Sequence, residues 1–484
     1  MDDEYLVLSG RQLAKLIASG KASSVDIVNA HIAQIERVNP TINALVAERF
    51  DLAREEAVGA DAQIRNRDRE ELGAFHGVPF TVKECFSLQG MPNSAGLVAR
   101  RDLIAAEDAT VVARIRKTGG IPLGVTNTSE LCMWMETNNR VYGRTNNPYD
   151  QSRIVGGSSG GEGAVIGAGG SPFGVGSDIG GSIRLPAFCN GVFGHKPTGR
   201  LVPGTGQYPI AENEALAYLT TGPLSRRAED LWPLLKAMSG EDGHDSAVRT
   251  FDLGDPNGLR VEDLRVMTVE DNGKTPVAPE LRDIQRRAAN RLAELGATVV
   301  EAKVPALEHS YEVWSQMLSA ADGTPFRTLL ADMGEMKMGS AFISWALGKS
   351  PHTLPALILA LVEHHPLFVP DDKSVMLKVG LELRQELLNQ IGGYGVMLFP
   401  SYSRVAPRHY LPLTRPFDWV YTAVFNVLEL PVTQVPMGLN EEGAPLGIQV
   451  VTSHGNDHLS IAVALELERE FGGWVPPWES ANGR

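Results

Sequence analysis

A serine that directly follows two glycines is the first feature of this sequence that could do chemistry. The segment 177–186 reads SDIGGSIRLP, with Ser182 after Gly180 and Gly181. Because glycine has no Cβ, backbone N–H groups can converge beside the serine hydroxyl and stabilise an oxyanion. The same pattern is also typical of a tight turn whose serine caps the next helix. Ser182 is therefore a candidate nucleophile that needs further support.

A second glycine-rich segment, GGSSGGEG at 156–163, precedes it and offers an alternative nucleophile. It lacks the GxxxxGK[ST] pattern of a phosphate-binding loop. Its Gly-x-Ser-x-Gly pattern, centred on Ser159, matches the nucleophile turn of α/β-hydrolases, which needs an acid and then a histidine downstream. Asp178 and His195 follow in that order. Later histidines could also complete such a Ser–His–Asp site: His409, His454 and His458.

A lysine at the end of an apolar segment is the candidate base. The segment 77–83 reads GVPFTVK and predicts a short buried strand that ends at Lys83. Burial of a lysine is costly unless the amine is paired or neutral. Desolvation lowers the pKa of a lysine, and a neutral amine can accept a proton from a serine. A lysine that reaches solvent, or that pairs with Glu84 or Asp178, would explain the same pattern.

Strands and helices that alternate along the chain must position these residues. An amphipathic helix is predicted over 23–38, with Ser23 as its cap and Pro40 just past its end. Further predictions are a helix near 108–118, a strand at 121–125, a strand–helix–strand unit at 264–269, 278–295 and 298–304, strands at 431–437 and 446–451, and a helix over 457–471. This alternation is typical of an α/β fold.

Composition argues against several classes of protein. The 484 residues carry a net charge of −14 with no long Lys/Arg run, which opposes binding to nucleic acid or to anionic lipid. Three widely spaced cysteines without a CxxC indicate neither a disulfide framework nor a zinc site, and fit a reducing cytoplasm. The start, MDDEYLVLSG, is acidic and lacks both a basic region and an apolar core, so we do not expect it to be a signal peptide. The apolar run 354–362 is far shorter than the ~20 residues of a membrane span. We therefore expect a cytoplasmic protein with no integral membrane segment and no nucleic-acid partner.

The histidines do not form a recognisable metal motif. His364-His365 has no matching carboxylate or cysteine pattern, and His454 and His458 lack the glutamate of HExxH. His195 is expected to be structural. We therefore predict no metal and no cofactor.

Taken together and in this order, these segments resemble the amidase signature family. The resemblance rests on GVPFTVK at 77–83, GGSSGGEGA at 156–164 and DIGGSIRLPAFCNGVFGHKPTGR at 178–200. The 24 residues that separate Ser158 from Ser182 match the spacing of the family's catalytic serines. The resemblance continues through Asn127, through GRTNNP at 143–148 and through LPVTQVPMGLNEEGAPLGIQVV at 430–451, and it is weakest across about 305–395.

The resemblance implies a role for each residue that matches the family's motifs. Ser182 would be the nucleophile, Lys83 the base, and Ser158 the serine that bridges them, with its peptide bond in cis. Four backbone N–H groups would form the oxyanion hole, those of Ile179, Gly180, Gly181 and Ser182. Three further side chains would hold the loops: Ser159, Asp178 and Arg184. The reaction implied is cleavage of amide-type bonds through an acyl-enzyme.

The resemblance also implies the architecture, which is a single large α/β domain over 1–484 with a mixed, twisted sheet and helices on both faces. We expect N-terminal helices at 1–75, the signature core at 76–240, a helical cover or substrate region at 305–395, and the rest of the core at 396–484. A homodimer is compatible with the sequence, but nothing in it indicates one.

Within the family, the sequence looks most similar to the fatty acid amide hydrolase branch, through 174–200, PLTRPF at 412–417 and 430–440. The region 308–390 is rich in Leu, Met, Trp and Phe and could line an apolar acyl channel or simply cover the core. Five residues there are candidates for the channel: Trp314, Met317, Phe342, Trp345 and Leu357. The substrate could be a fatty or aryl amide, an ester or a carbamate (urethane). An alternative function is that of the amidase-like component of a glutamyl-tRNA amidotransferase.

Overall fold

The structure, a computed structural model, describes residues 2–66, 72–321, 323–363 and 374–481. His364 and His365, considered above as metal ligands, lie outside these residues. So does part of the predicted helical cover.

A large mixed sheet organises the described residues. The strands in these residues are β1 Leu45–Glu48, β2 Pro79–Lys83, β3 Ile121–Thr126, β4 Asn138–Asn139, β5 Gly143–Arg144, β6 Phe173–Asp178, β7 Phe193–Lys196, β8 Thr220–Ser225, β9 Arg265–Thr268, β10 Thr298–Glu301, β11 Gly395–Pro400, β12 Val432–Leu439 and β13 Pro445–Val451. Strands β4 and β5 form a separate two-stranded ribbon, and the other strands form the large sheet. Eleven strands lie in the order β1-β3-β2-β6-β8-β7-β12-β13-β11-β9-β10. The pairs β3/β2, β2/β6, β11/β9 and β9/β10 are parallel, and the others are antiparallel.

Helices flank this sheet, so the chain has the predicted single-domain α/β architecture. Their bounds are Asp2–Tyr5, Gly10–Ser19, Ser24–Ile42, Phe50–Asn66, Thr110–Lys117, Gly160–Gly167, Arg184–Cys189, Ala215–Tyr218, Leu231–Met238, Pro279–Glu294, Ser310–Ala320, Phe326–Leu330, Met338–Ala346, Leu354–Val362, Ser374–Ile391, Leu411–Thr414, Val420–Val427, Asp457–Phe471 and Pro477–Ala481. The described part of the region 305–395 is mostly helical, with turns at 331–337 and 347–353. The subdivision of the domain at 75, 240 and 395 stays a prediction.

Each helix and strand that was predicted with bounds is present near its expected position. The predicted strand–helix–strand unit is present as β9, Pro279–Glu294 and β10, with the two strands parallel. Ser23 caps its helix as expected, since its hydroxyl accepts the Asp26 N–H at 3.0 Å. The helix runs through Pro40 to Ile42, so the predicted end before Pro40 is wrong. A proline in the last turn gives up one backbone hydrogen bond, which this helix tolerates.

Register in the sheet brings two of the predicted segments together. Strands β2 and β6 are parallel neighbours, with Thr81 opposite Gly174 and Val82 opposite Val175. Their carboxyl ends therefore meet at the same edge of the sheet, where loops commonly form the binding site of an α/β fold. Lys83 ends one of these strands, and the loop to Ser182 follows the other.

Membrane-spanning helices and metal-binding clusters were sought in the described residues. None of the helices in these residues is both long and apolar enough to span a bilayer. No group of three or more His, Cys, Asp or Glu side chains within the same residues is arranged to hold a metal ion. The three cysteines are buried and free.

Candidate active site

Lys83 is fully buried and lies beside two serine hydroxyls. Its Nζ is 2.6 Å from Ser158 Oγ and 3.0 Å from Ser177 Oγ. The two alternatives for Lys83, a side chain that reaches solvent and one that pairs with Glu84 or Asp178, are both absent from the structure. Glu84 instead accepts hydrogen bonds from Ser94, Ala95 and Tyr142, and Asp178 pairs with Arg184. The Lys83 amine therefore faces hydroxyl groups rather than solvent or a paired carboxylate.

Ser158 is held in an unusual backbone environment. The Gly157–Ser158 peptide bond is cis. A Cβ at Gly157 would collide with the Trp134 carbonyl oxygen, so only glycine fits there. The packing of this turn thus places the Ser158 hydroxyl against Lys83.

Ser182 lies where the two glycine-rich segments meet. Its carbonyl oxygen accepts the N–H of Ser159 at 3.2 Å, which joins the loop that carries Ser158 to the loop that carries Ser182. Ser182 is partly exposed, whereas Lys83 and Ser158 are buried. Its hydroxyl has no hydrogen-bond partner among the described residues. The hydroxyl is therefore free of protein partners that would compete with a substrate.

Hydrogen bonds to its carbonyl oxygens hold the loop before Ser182. The Asp178 carbonyl accepts Asn426 Nδ2 at 2.7 Å, the Ile179 carbonyl accepts Trp314 Nε1 at 2.8 Å, and the Gly180 carbonyl accepts Thr422 Oγ1 at 2.8 Å. A carbonyl and the following N–H lie in one planar peptide and point in opposite directions. Each of these bonds therefore also orients the N–H of the next residue.

The four predicted oxyanion donors are not equivalent. The Gly181 N–H donates to Asp178 Oδ1 at 2.6 Å, so it is not available to an oxyanion. The N–H groups of Ile179, Gly180 and Ser182 have no acceptor within the described part of the chain. Because an unpaired N–H is costly once it is buried, these three are suited to an anionic oxygen of a ligand.

A buried ion pair between Asp178 and Arg184 holds this loop in place. Arg184 donates to both carboxylate oxygens of Asp178, through Nη2 at 2.9 Å and Nε at 3.0 Å. Arg184 also reaches the Thr422 carbonyl, Gln449 and Asn426. Burial alone would raise the pKa of Asp178, but the Arg184 charge and hydrogen bonds bring it well below its usual range. Asp178 is therefore an anion that organises the backbone, as its predicted supporting role requires.

The alternative Ser–His–Asp site does not form. Ser159 directs its hydroxyl to the Ser177 carbonyl at 3.4 Å. His195 is fully buried and bonds through its two ring nitrogens to Thr433 at 2.9 Å and Asp457 at 3.0 Å. No histidine in the described residues hydrogen-bonds to Ser159 or Ser182. His195 is thus a structural residue.

Two residues near Lys83 were not predicted from the sequence. Ser177 is the second hydroxyl beside Nζ, and its only sequence signal is its place directly before Asp178. Glu162 accepts the hydroxyls of Thr81 at 2.7 Å and Thr126 at 2.8 Å. Burial raises the pKa of Glu162 to about 8, against the lowering effects of these hydrogen bonds and of Lys83. The sequence signal for Glu162 was a charged residue within the glycine-rich segment 156–163.

A cavity of about 290 Å³ adjoins the loop of Ser182. Ile179 of the loop lines it, together with Leu131 and Cys132. The helical cover contributes Trp314 and an apolar group that consists of Leu318, Phe326, Leu329, Leu359 and Val362. Of the five channel residues suggested by the sequence, Trp314 lines this cavity, whereas Trp345 lines a second one of about 220 Å³.

Comparison with known proteins agrees with this geometry. The Amidase family model matches residues 26–460. The chain is 47% identical to human fatty-acid amide hydrolase 2, over 98% of this chain and 91% of that protein. It is 30% identical to an acylamidase from Rhodococcus erythropolis, over 97% of this chain and 96% of that protein. A solved fatty acid amide hydrolase shares the fold, with a TM-score of 0.79 and 23% identity over 97% of this chain and 86% of that chain.

The family match covers most of the chain, and the relatives match it nearly end to end. The matched residues include both glycine-rich segments and Lys83. This chain therefore belongs to the amidase family and is a hydrolase that cleaves amide carbon–nitrogen bonds.

Proposed function

We propose that the chain hydrolyses amides through an acyl-enzyme on Ser182, with Ser158 as the bridging serine and Lys83 as the base. The observation that carries this proposal is the 2.6 Å distance between the buried Lys83 Nζ and Ser158 Oγ. No histidine or carboxylate among the described residues is hydrogen-bonded to the side chain of Ser158, Ser159 or Ser177.

In this mechanism a proton passes from Ser182 through Ser158 to Lys83. The neutral Lys83 amine takes a proton from Ser158, which takes the proton of Ser182. The Ser182 oxygen then attacks the substrate carbonyl, and the N–H groups of Ile179, Gly180 and Ser182 bind the oxyanion. Ser158 returns a proton to the departing amine nitrogen. Water, activated by the same groups, hydrolyses the acyl-enzyme and releases the acid.

The cavity supports an apolar acyl group as the substrate class. The leucines and Phe326 contributed by the helical cover would bury the carbons of a fatty or aryl acyl chain. The human relative carries the name fatty-acid amide hydrolase 2, which agrees with this proposal. Esters and carbamates (urethanes) present the same carbonyl to Ser182 and are proposed as further substrates. A cytoplasmic location and a homodimer stay predictions.

Labelling with a fluorophosphonate probe tests the nucleophile. We expect a single adduct, mapped by peptide mass spectrometry to Ser182, that Ser182→Ala abolishes and Ser159→Ala leaves in place. An adduct on Ser159 would contradict the assignment. Hydrolysis of simple acyl amides by the purified chain would separate this function from that of an amidotransferase component, which needs partner proteins.

A further inference from the structure

Met133 lies in the walls of two cavities. It is half-buried and lines both the cavity of about 290 Å³ beside the loop of Ser182 and the second cavity of about 220 Å³. No other described residue lines both of them. A methionine side chain is unbranched and has three rotatable bonds, so it adapts readily to its surroundings. A movable side chain therefore lies where the two cavities meet.

One helix of the cover, Leu354–Val362, runs along both cavities. Its first residues, 354–356, line the second cavity, whereas Leu359 and Val362 line the first. Because an α-helix rises 1.5 Å per residue, Ala356 and Leu359 are only about 5 Å apart along the helix axis. The two cavities are therefore neighbours that follow one another along this helix.

The segment that carries Met133 is attached to the turn of Ser158. The Ser129 N–H donates to the Ser158 carbonyl at 3.4 Å, and the Trp134 carbonyl oxygen packs against Gly157, where a Cβ would collide with it. Within this segment, residues 131–133 line the first cavity, and residues 133 and 134 line the second. A single segment of chain thus borders both cavities and holds the proposed bridging serine.

The second cavity has apolar wall groups, and its charged residues are engaged elsewhere. Glu130 pairs with His352 at 2.8 Å, and Glu136 pairs with His409 at 2.5 Å. Arg140 is exposed, so its charge can remain in water. The apolar and aromatic wall consists of Trp134, Trp345, Leu354, Pro355, Ala356 and Leu413. Such a wall suits a carbon chain that is removed from water.

We infer that the second cavity receives the distal part of a long acyl chain, and that Met133 is a specificity-determining residue that moves aside to admit it. The inference rests on the proposed function, because the chain starts at the carbonyl that Ser182 attacks. A short chain would end before Met133 and use the first cavity alone. Burial of each further methylene group changes an equilibrium constant by about fourfold, so long chains should be preferred.

The test compares hexanoyl and dodecanoyl p-nitroanilides, two amides that differ only in chain length. We expect the wild type to prefer the dodecanoyl substrate by about tenfold or more in kcat/KM, because more methylene groups are buried. Leu413→Trp fills part of the second cavity, and Met133→Trp obstructs its junction with the first. Each should lower the dodecanoyl-to-hexanoyl ratio of kcat/KM by about tenfold or more. Leu381→Trp, at an exposed leucine that lines neither cavity, is the matched control and should keep the ratio.

The outcomes separate the two proposals. Fluorophosphonate labelling of Ser182 in each variant shows that the protein is folded. A wild type without the preference, or folded Leu413→Trp and Met133→Trp proteins that retain it, would overturn the role of the second cavity and leave the proposed function intact. Loss of the preference in only one of these two variants would contradict a continuous path past Met133. A folded wild type that hydrolyses neither substrate and does not label at Ser182 would instead overturn the proposed function.

Discussion

The indole Nε1 of Trp314 donates to the backbone carbonyl of Ile179 at 2.8 Å, and thereby connects the helical cover to the loop of Ser182. The same indole lines the cavity and packs edge-on against Trp419, with ring centroids 4.9 Å apart. Because the Ile179 carbonyl and the Gly180 N–H share one peptide plane, Trp314 fixes the direction of a proposed oxyanion donor. Trp314 is thus a positioning residue.

We expect Trp314→Phe to lower kcat by about tenfold, with a smaller change in KM. The phenyl ring keeps most of the cavity wall but cannot donate to Ile179, so the Gly180 N–H becomes less well oriented. Steady-state kinetics measure this split. Trp232→Phe, at a tryptophan that lines neither cavity, is the control and should leave kcat unchanged. If Trp314→Phe raised KM and left kcat unchanged, Trp314 would only line the cavity and would not position the Gly180 N–H.

Lys83→Met should lower kcat by about 10³-fold or more, since it removes the proposed base from Ser158. The rate at which a fluorophosphonate labels Ser182 should fall with it. The matched control is Lys196→Met, because Lys196 is also fully buried but donates to the Pro197 carbonyl at 2.8 Å. Near-normal turnover in a folded Lys83→Met protein would exclude this base.

Asp178→Asn should destabilise the fold by about 3–5 kcal/mol, because Arg184 would remain buried without its counter-charge. Chemical denaturation at neutral pH measures the free energy of unfolding. Asp283→Asn removes one partner of an exposed ion pair with Arg286 and should change stability little. An equal effect of the two substitutions would show that the buried pair does not stabilise the loop.

Glu162 should make stability depend on pH. Burial raises the pKa of Glu162 from 4.5 to about 8, so between these values the folded protein holds a proton that the unfolded chain has released. This contribution to stability is fully present below about pH 4.5 and is lost as pH rises through about 8. Glu162→Gln mimics the protonated side chain and should flatten the decline in Tm between about pH 5 and 9. The same slope in both proteins would exclude Glu162 as its source.

Chelators should leave activity unchanged, because the proposed proton path uses only Lys83 and hydroxyl groups. Turnover measured before and after dialysis against EDTA tests this. Loss of activity that one specific metal restores would contradict the mechanism.

Several features of this protein could be predicted from local sequence. Turn chemistry and glycine density located both glycine-rich segments, and apolar patterning located the strand that ends at Lys83. The Asp457–Phe471 helix was predicted with its observed bounds. These features depend on residues that are neighbours in the chain, so a short window contains the physics that forms them.

Packing between distant segments decided the rest. Trp314, Thr422 and Asn426 hold the carbonyl oxygens of residues 178–180 from 135 to 248 positions away. Packing also placed Glu162 between Thr81 and Thr126, from 81 and 36 positions away. A hydrogen bond requires two groups within about 3 Å, and only the folded chain determines which groups come that close.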